Sequence, residues 1–191
     1  MELLQAINGR RSVREYTDEP VSDAVLRELI DAAVQAPSAI NQQPWCFVVV
    51  KNQALLAHIS DQAKSHLLKA SLGAPAHPFR DMLNDPKFHI FYHAPVLVVI
   101  AAAQPTDWAV EDCALAAENL MLAAYGAGLG TCFVGFAQHW LATAEGKAAL
   151  GLPLSYAPIA PIVVGHPKRQ PTAVPRKAPN IRWLDSAGGG A

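Results

Sequence analysis

Charge is scarce in this chain. Of its 191 residues only 16% are Asp, Glu, Lys or Arg, and the formal net charge is -1. That balance excludes the strongly basic face with which proteins hold nucleic acid or anionic membranes. Neither is expected as a partner. Cysteine is scarce as well, with Cys46, Cys113 and Cys132 and no C-x-x-C spacing. An odd count without paired spacing excludes a disulfide framework. Each thiol sits among apolar neighbours and reads as buried, which fits a reducing compartment. Long hydrophobic runs are missing too. The longest, Ala94 to Ala103, is about half of what a membrane span needs. Met1 to Arg11 holds no apolar stretch of signal-peptide length, so the expected location is cytoplasmic.

Signatures of side-chain catalysis are also missing. There is no G-x-S-x-G elbow and no Ser or Cys with a base at motif spacing, so nucleophilic catalysis has no support. His89 and His93 lie four residues apart, but no third ligand follows at metal-binding spacing, and no metal site is expected. Asp107, Glu111 and Asp112 read as acids favouring a helix N-terminus. Gly126, Gly128 and Gly130 have the spacing G-x-G-x-G and close a helix rather than open one. They read as a helix cap, not a dinucleotide fingerprint.

What is present is a core. Apolar residues make up 51% of the chain, enough for one domain, taken as residues 1–187. Leu3, Leu4 and Ile7 before Gly9 predict a short helix. Ser22 is a candidate N-cap for a helix carrying Val25, Leu26, Leu29, Ile30 and Ala33 at helical spacing. Trp45 to Val50 reads as a strand, Ala54 to Lys69 as an amphipathic helix, and Pro95 to Ala101 as a strand buried on both faces. Residues 71–86, with Gly73, Pro75, Pro78 and Pro86, read as a covering loop. His93 reads as a helix end. Glu111 to Ala127 predicts a helix apolar almost all round, hence central or covered by another subunit. Gly130 to Phe136 and Ile159 to Val164 read as strands around a helix near Trp140 to Leu150. The Pro-rich, basic stretch 166–187 reads as an extended tail draped over the body or a second subunit, and 188–191 as a mobile end.

Two stretches carry chemistry. Arg10-Arg11-Ser12-Val13-Arg14 gathers three guanidinium groups and a hydroxyl, and arginine's planar fork suits phosphate oxygens. On its own the cluster fits equally an anion pocket or a salt-bridge patch with Glu2, Glu15, Asp18 and Glu19. Pro37-Ser38-Ala39-Ile40-Asn41-Gln42-Gln43-Pro44-Trp45 is a polar turn running into a strand. It is able to present amides and hydroxyls to a polar ring. Together they suggest a phosphorylated cofactor with a heteroaromatic head.

The order of these stretches resembles the nitroreductase family of FMN-dependent oxidoreductases. R-R-S-x-R with Tyr16 behind it, then P-S-x-x-N-x-Q-P-W over 37–45, an apolar strand after Ala94-Pro95, and E-N-L-x-L-A-A over 118–124 all match. So do Gly128-Leu129-Gly130-Thr131 and Gly165-x-Pro167, so that the likeness runs from Leu4 to Arg176. The resemblance implies an α+β, three-layer fold: a mixed, mainly antiparallel sheet flanked by helices, in a homodimer with exchanged tails and FMN at the interface. It implies that Arg10 and Ser12, with Arg11 adjacent, hold the phosphate and ribityl end, while Arg14 meets the pyrimidine edge. Pro37, Ser38 and Asn41 would approach from the partner subunit, and Thr131 and Cys132 would lie near the ring. Arg176 would close on the phosphate, with Lys168 or Arg169 as alternatives. The implied activity is ping-pong hydride transfer from NADH or NADPH through flavin N5 to a nitroaromatic, quinone or related small-molecule acceptor. Other reactions on the same scaffold (dehalogenation, ene reduction, dehydrogenation, flavin breakdown) and FMN storage stay open. Phe79, Phe88, Phe91 and Tyr92 are the expected specificity wall. The acceptor, the preferred nicotinamide and one- against two-electron chemistry are not legible.

Overall fold

A computed structural model describes residues 2–70, 79–104, 106–169 and 171–184. Its centre is a four-stranded sheet in the order β1 (Trp45–Val50), β2 (Val96–Ala102), β4 (Ala157–Gly165), β3 (Gly130–Phe133). Every neighbouring pair of strands is antiparallel. Among the described residues the parallel component is a single bridge, Ser12 to Thr131.

β2 explains the layering. All seven of its residues are buried, and they alternate between two cores. Val96, Val98 and Ile100 face α2 (Asp23–Ala33) and α5 (Ala109–Gly126). Leu97 and Val99 join the second core, beside Leu56 and Ile59 of α3 (Gln53–Ala70) and Trp140 and Leu141 of α6 (Gln138–Leu141). A central strand with helices on both faces needs apolar residues at every position, and each buried Val, Leu or Ile contributes about 1.5–3 kcal/mol. The α+β, three-layer expectation holds.

Local rules place the helix ends. The Ser22 hydroxyl accepts from the Val25 amide at 3.2 Å, capping α2. At the end of α5, Gly128 takes φ +78°, donating its amide to Tyr125 while Leu129 donates to Ala124. That double bond around a left-handed glycine is the Schellman stop. The glycines there cap a helix, as their spacing implies.

Several elements differ from expectation. The helix expected over 140–150 is two short ones, α6 and α7 (Ala144–Ala149), because Thr143 caps the second through the Gly146 amide at 3.1 Å. The strand at Gly130 ends at Phe133, and Gly135–Ala137 is a single 3-10 turn. His93 ends no helix; it lies in a turn where Tyr92 and His93 both have φ above +50°. Of the expected covering loop, residues 71–78 lie outside the described residues, and Arg80–Asn84 is a short helix, α4. Residues 171–184 carry no helix or strand and, apart from half-buried 171, are exposed, while 188–191 lie outside the described residues. No described helix is long and apolar enough to cross a membrane.

α5 is less uniformly buried than its composition suggests. Leu120, Ala116 and Cys113 are enclosed, but Val110 and Leu115 stand exposed. Beside them α1 (Leu3–Gly9) packs on α5 and turns Leu3, Leu4 and Ile7 outward.

Two glycines fix how the N-terminal segment meets the sheet. Gly130 and Gly165 pair across β3 and β4. A Cβ on Gly130 would meet Val13, and one on Gly165 would meet Tyr16 and Pro95. Gly165→Ala should therefore destabilise the fold by about 1–3 kcal/mol. Gly126→Ala, in open space at the end of α5, should be neutral or stabilising by up to about 1 kcal/mol. Urea midpoints of the two variants against wild type check this contrast.

Candidate functional site

Residues 12–17 lie as an extended segment across the end of the sheet. The Val13 amide donates to Thr131 at 2.8 Å, Thr17 donates to His166 at 2.9 Å, and the Lys168 amide donates to Glu15 at 3.0 Å. Val13 and Tyr16 turn inward and are buried. The Tyr16 hydroxyl, whose pKa burial pushes up, donates to the Val13 carbonyl at 2.7 Å. Around Val13 period-two alternation sends Ser12 and Arg14 outward, and the alternation breaks before Tyr16, three positions on.

Two cavities open where they point. One, of about 350 Å³, lies among Ser12, Arg14, Glu15, Arg169 and Thr172. The other, of about 480 Å³, is bordered by Arg14, Lys87, His89, Tyr92, His93 and Lys168. Arg14 borders both. Its guanidinium lies 5.9 Å from the Tyr92 ring centroid, near enough to oppose the rise that burial gives the Tyr92 hydroxyl's pKa. It also meets the Cys132 thiol, as does the Ser12 hydroxyl. Burial raises the pKa of that thiol, with Arg14 opposing the rise. Cys132 therefore stays protonated at neutral pH and is no nucleophile.

The other two arginines have different surroundings. Arg10 turns to α5, where Nε and Nη2 both meet Glu118 Oε1, at 3.2 and 3.1 Å. A half-exposed pair of this kind contributes little stability. Arg11 donates Nη1 to the Asn8 and Arg10 carbonyls at 2.8 and 2.7 Å, closing the end of α1. Its Nε is buried with no partner among the described residues.

The segment at Pro37, Ser38 and Asn41 does not border either cavity within this chain. It is strained: Ile40, Asn41 and Gln43 all have φ between +44° and +57°. For a β-branched residue such as Ile40 that conformation is an outlier. The Ser38 hydroxyl accepts from the Gln43 amide at 2.9 Å, and Asp112 Oδ1 accepts from the Ala39 amide at 3.0 Å. Asp112 is buried, and its Oδ2 has no partner among the described residues. Its place at the head of α5 marked it only as a helix-dipole acid. The bond to Ala39, 73 residues away, left no local signal.

The structure thus brings Ser12, Arg14, Thr131 and Cys132 together, with Arg10 and Arg11 at the other end of their run. It does not bring in Arg176, which lies in the exposed tail. Arg169 borders the first cavity instead and pairs with Glu15 at 2.7 Å, and Lys168 borders the second. Sequence reasoning missed Lys87, which follows an ordinary Asp-Pro turn. The aromatic wall is present in part. Phe79, Phe136, Phe88 and Tyr92 form a chain of edge-on contacts 5.4 to 6.4 Å apart, whereas Phe91 is fully buried in the core. Such a site is able to hold an anion at Ser12 and Arg169 and a flat ring beyond Arg14.

Comparison with known proteins agrees with this picture. Residues 7–166 match the model of the nitroreductase family. A Methanothermobacter thermautotrophicus protein whose name pairs NADH dehydrogenase with NAD(P)H nitroreductase is 30% identical, over 90% of this chain and 80% of its own. The FMN reductase [NAD(P)H] of Bacillus subtilis is 29% identical over 92% of this chain and 70% of its own. A nitroreductase from Bacteroides fragilis, solved with bound FMN, superposes with a TM-score of 0.83 at 27% identity, covering 97% of this chain and all of that one.

His89 gives the site a pH signature. Burial and the neighbouring His93, whose ring lies 4.7 Å away, lower its pKa to about 4. An unfolded histidine near 6.5 binds more protons than the folded one between those values, so stability falls as pH drops through that window. Histidine NMR should show His89 neutral down to about pH 5, and His89→Gln should flatten the acid loss of urea stability between pH 6.5 and 4.

Proposed function

The chain belongs to the nitroreductase family, and from that membership we propose that it is an FMN-dependent oxidoreductase drawing electrons from NADH or NADPH. The carrying observation is the position of Arg14, a permanently charged group bordering both cavities.

The residues present fit FMN. Ser12 and Arg169 offer a hydroxyl and a guanidinium to a phosphate monoester. Arg10 spends two nitrogens on one oxygen of Glu118, and Nη1 has no partner among the described residues. Arg14 and Lys87 border the wider cavity beside Tyr92 and Phe88, a combination suited to a flat ring with an electron-rich edge. Bound FMN supplies hydride chemistry at N5, accepting from NAD(P)H and passing electrons in ping-pong order to a nitroaromatic, quinone or related acceptor.

The chain's own task is to bind and orient. Arg14 sets fixed positive charge where negative charge accumulates. Tyr92 and the thiol of Cys132 flank that guanidinium. Phe79, Phe136 and Phe88 give the site an apolar wall on which a planar acceptor stacks. No side chain need act as nucleophile.

The functional unit is a homodimer. Exposed Leu3, Leu4, Ile7, Val110 and Leu115 on α1 and α5, with Ile181, Trp183 and Leu184 in the tail, form apolar surface that a monomer rarely leaves open. Pro37, Ser38 and Asn41, which border neither of the two cavities of this chain, are the groups to serve the partner's site. Residues 166–187 are the segment to exchange.

The purified protein should be yellow after desalting, and anaerobic NADH or NADPH should bleach it. A colourless protein that takes up no FMN defeats the reading. Arg14→Ala should weaken FMN binding roughly ten- to a hundredfold, the range for losing a charged hydrogen bond; fluorescence quenching measures it. Arg10→Ala should weaken binding too. Unchanged retention would remove Arg10 from the phosphate site.

A further inference from the structure

Among the described lysines and arginines, Lys64 alone is buried. It sits on α3, outside the machinery above. Burying an ammonium is costly unless it is hydrogen-bonded. Its carboxylate partner, Asp61, is 3.5 Å away and largely exposed, too weak a pairing to account for the burial. The short bond is another one: Lys64 Nζ donates to the Phe88 carbonyl at 2.8 Å.

Ser60 lies one helical turn earlier on the same face of α3. It is fully buried, and its hydroxyl accepts from the Ile90 amide at 3.1 Å. Two consecutive turns of a rigid helix therefore grip the backbone of one six-residue turn, Phe88 to His93. Within that turn the Phe91 amide donates to His89 Nδ1 at 3.2 Å, and Ile90 and Phe91 are fully buried. The grip has a strained product, because Tyr92 and His93 are left-handed at φ +54° and +53°. Large side chains hold that conformation only where their surroundings impose it. Tyr92 leaves the turn toward Arg14, and Lys87, just before it, borders the same cavity.

We propose that Lys64, seconded by Ser60, is the positioning residue for Arg14: the α3 pair fixes the Phe88–His93 turn, the turn fixes Tyr92, and Tyr92 sets the guanidinium. This rests on the reading of the cavities as the FMN site. It concerns orientation only, since Lys64 does not border either cavity. The alternative is a lysine that merely stabilises α3, and it makes a different prediction. A structural lysine lowers the melting temperature without changing the bound flavin. A positioning lysine changes how strongly the cation at Arg14 favours reduced, negatively charged flavin.

The test uses the full chain and FMN itself. Lys64→Met should bind FMN about tenfold more weakly, within the range for coupled neighbours, and should lower the reduction potential of the bound flavin in a reference-dye titration. Lys64→Arg, which keeps a donor for the Phe88 carbonyl, should restore most of both. Tyr92→Phe should lower the potential in the same direction, and the double variant Lys64→Met with Tyr92→Phe should fall short of the sum. If Lys64→Met does not fold, Ser60→Ala carries the same measurements. An unchanged potential and affinity in a folded variant, or strict additivity with Tyr92→Phe, overturns the proposal. A wild-type protein that takes up no FMN overturns the site reading, and this inference with it.

Discussion

The site depends on an absence of side chains. Gly130 and Gly165 face each other across β3 and β4, and the space they leave is filled by Val13 and Tyr16. Seating Val13 fixes the phase of residues 12–14, and Tyr16 anchors the segment again three positions on. Once Val13 is inside, Ser12 and Arg14 must be outside. Backbone bonds to Thr131 and His166 hold that phase, and the Tyr16 hydroxyl ties it back to Val13. The chemistry of the arginine run is local, but its direction is set by two residues over a hundred positions later.

Much of the frame was legible because it follows from periodicity and caps. β2 reads directly as a doubly covered strand, and the Ser22 cap and the Gly128 stop sit where their residue types place them. The errors came where local signals are weak or shared. Thr143 splits a helix that composition alone would continue. The Phe88–His93 turn owes its shape to bonds from α3, and nothing within residues 88–93 announces a left-handed tyrosine. The same limit applied to the site. Motif order singled out Ser12, Arg14, Thr131 and Cys132, which the fold brings together. Lys87 and Asp112 carried no local signal, because the wider cavity and the Ala39 amide that they meet are assembled from distant chain. Arg169 was separable from Arg176 only once the chain after β4 had been followed past Glu15.

Scarce charge is not evenly spread charge. With a net charge of -1, no long-range field draws anions to the protein as a whole. Cations and acids meet instead around one opening. Arg14, Lys87 and Lys168 share the wider cavity with Glu15 and Asp18, and Arg169 pairs with Glu15. Arg14, Glu15, Asp18, Lys87, Lys168 and Arg169 are all exposed in the single chain, so water and salt screen them there.

Cys132 shows what such a wall tolerates. Its sulfur lies behind Ser12 and Arg14, and burial keeps it in the thiol form even beside a guanidinium. Peroxide attacks thiolates far faster than thiols. A protein that passes electrons to acceptors works near oxygen and its reduced products, where an exposed, ionised cysteine would be consumed. Here the sulfur lends soft, polarisable packing to the edge of the chemistry while staying out of reach of its by-products. The resistance of this one thiol to oxidation is a property of where Val13, Tyr16 and Cys132 pack.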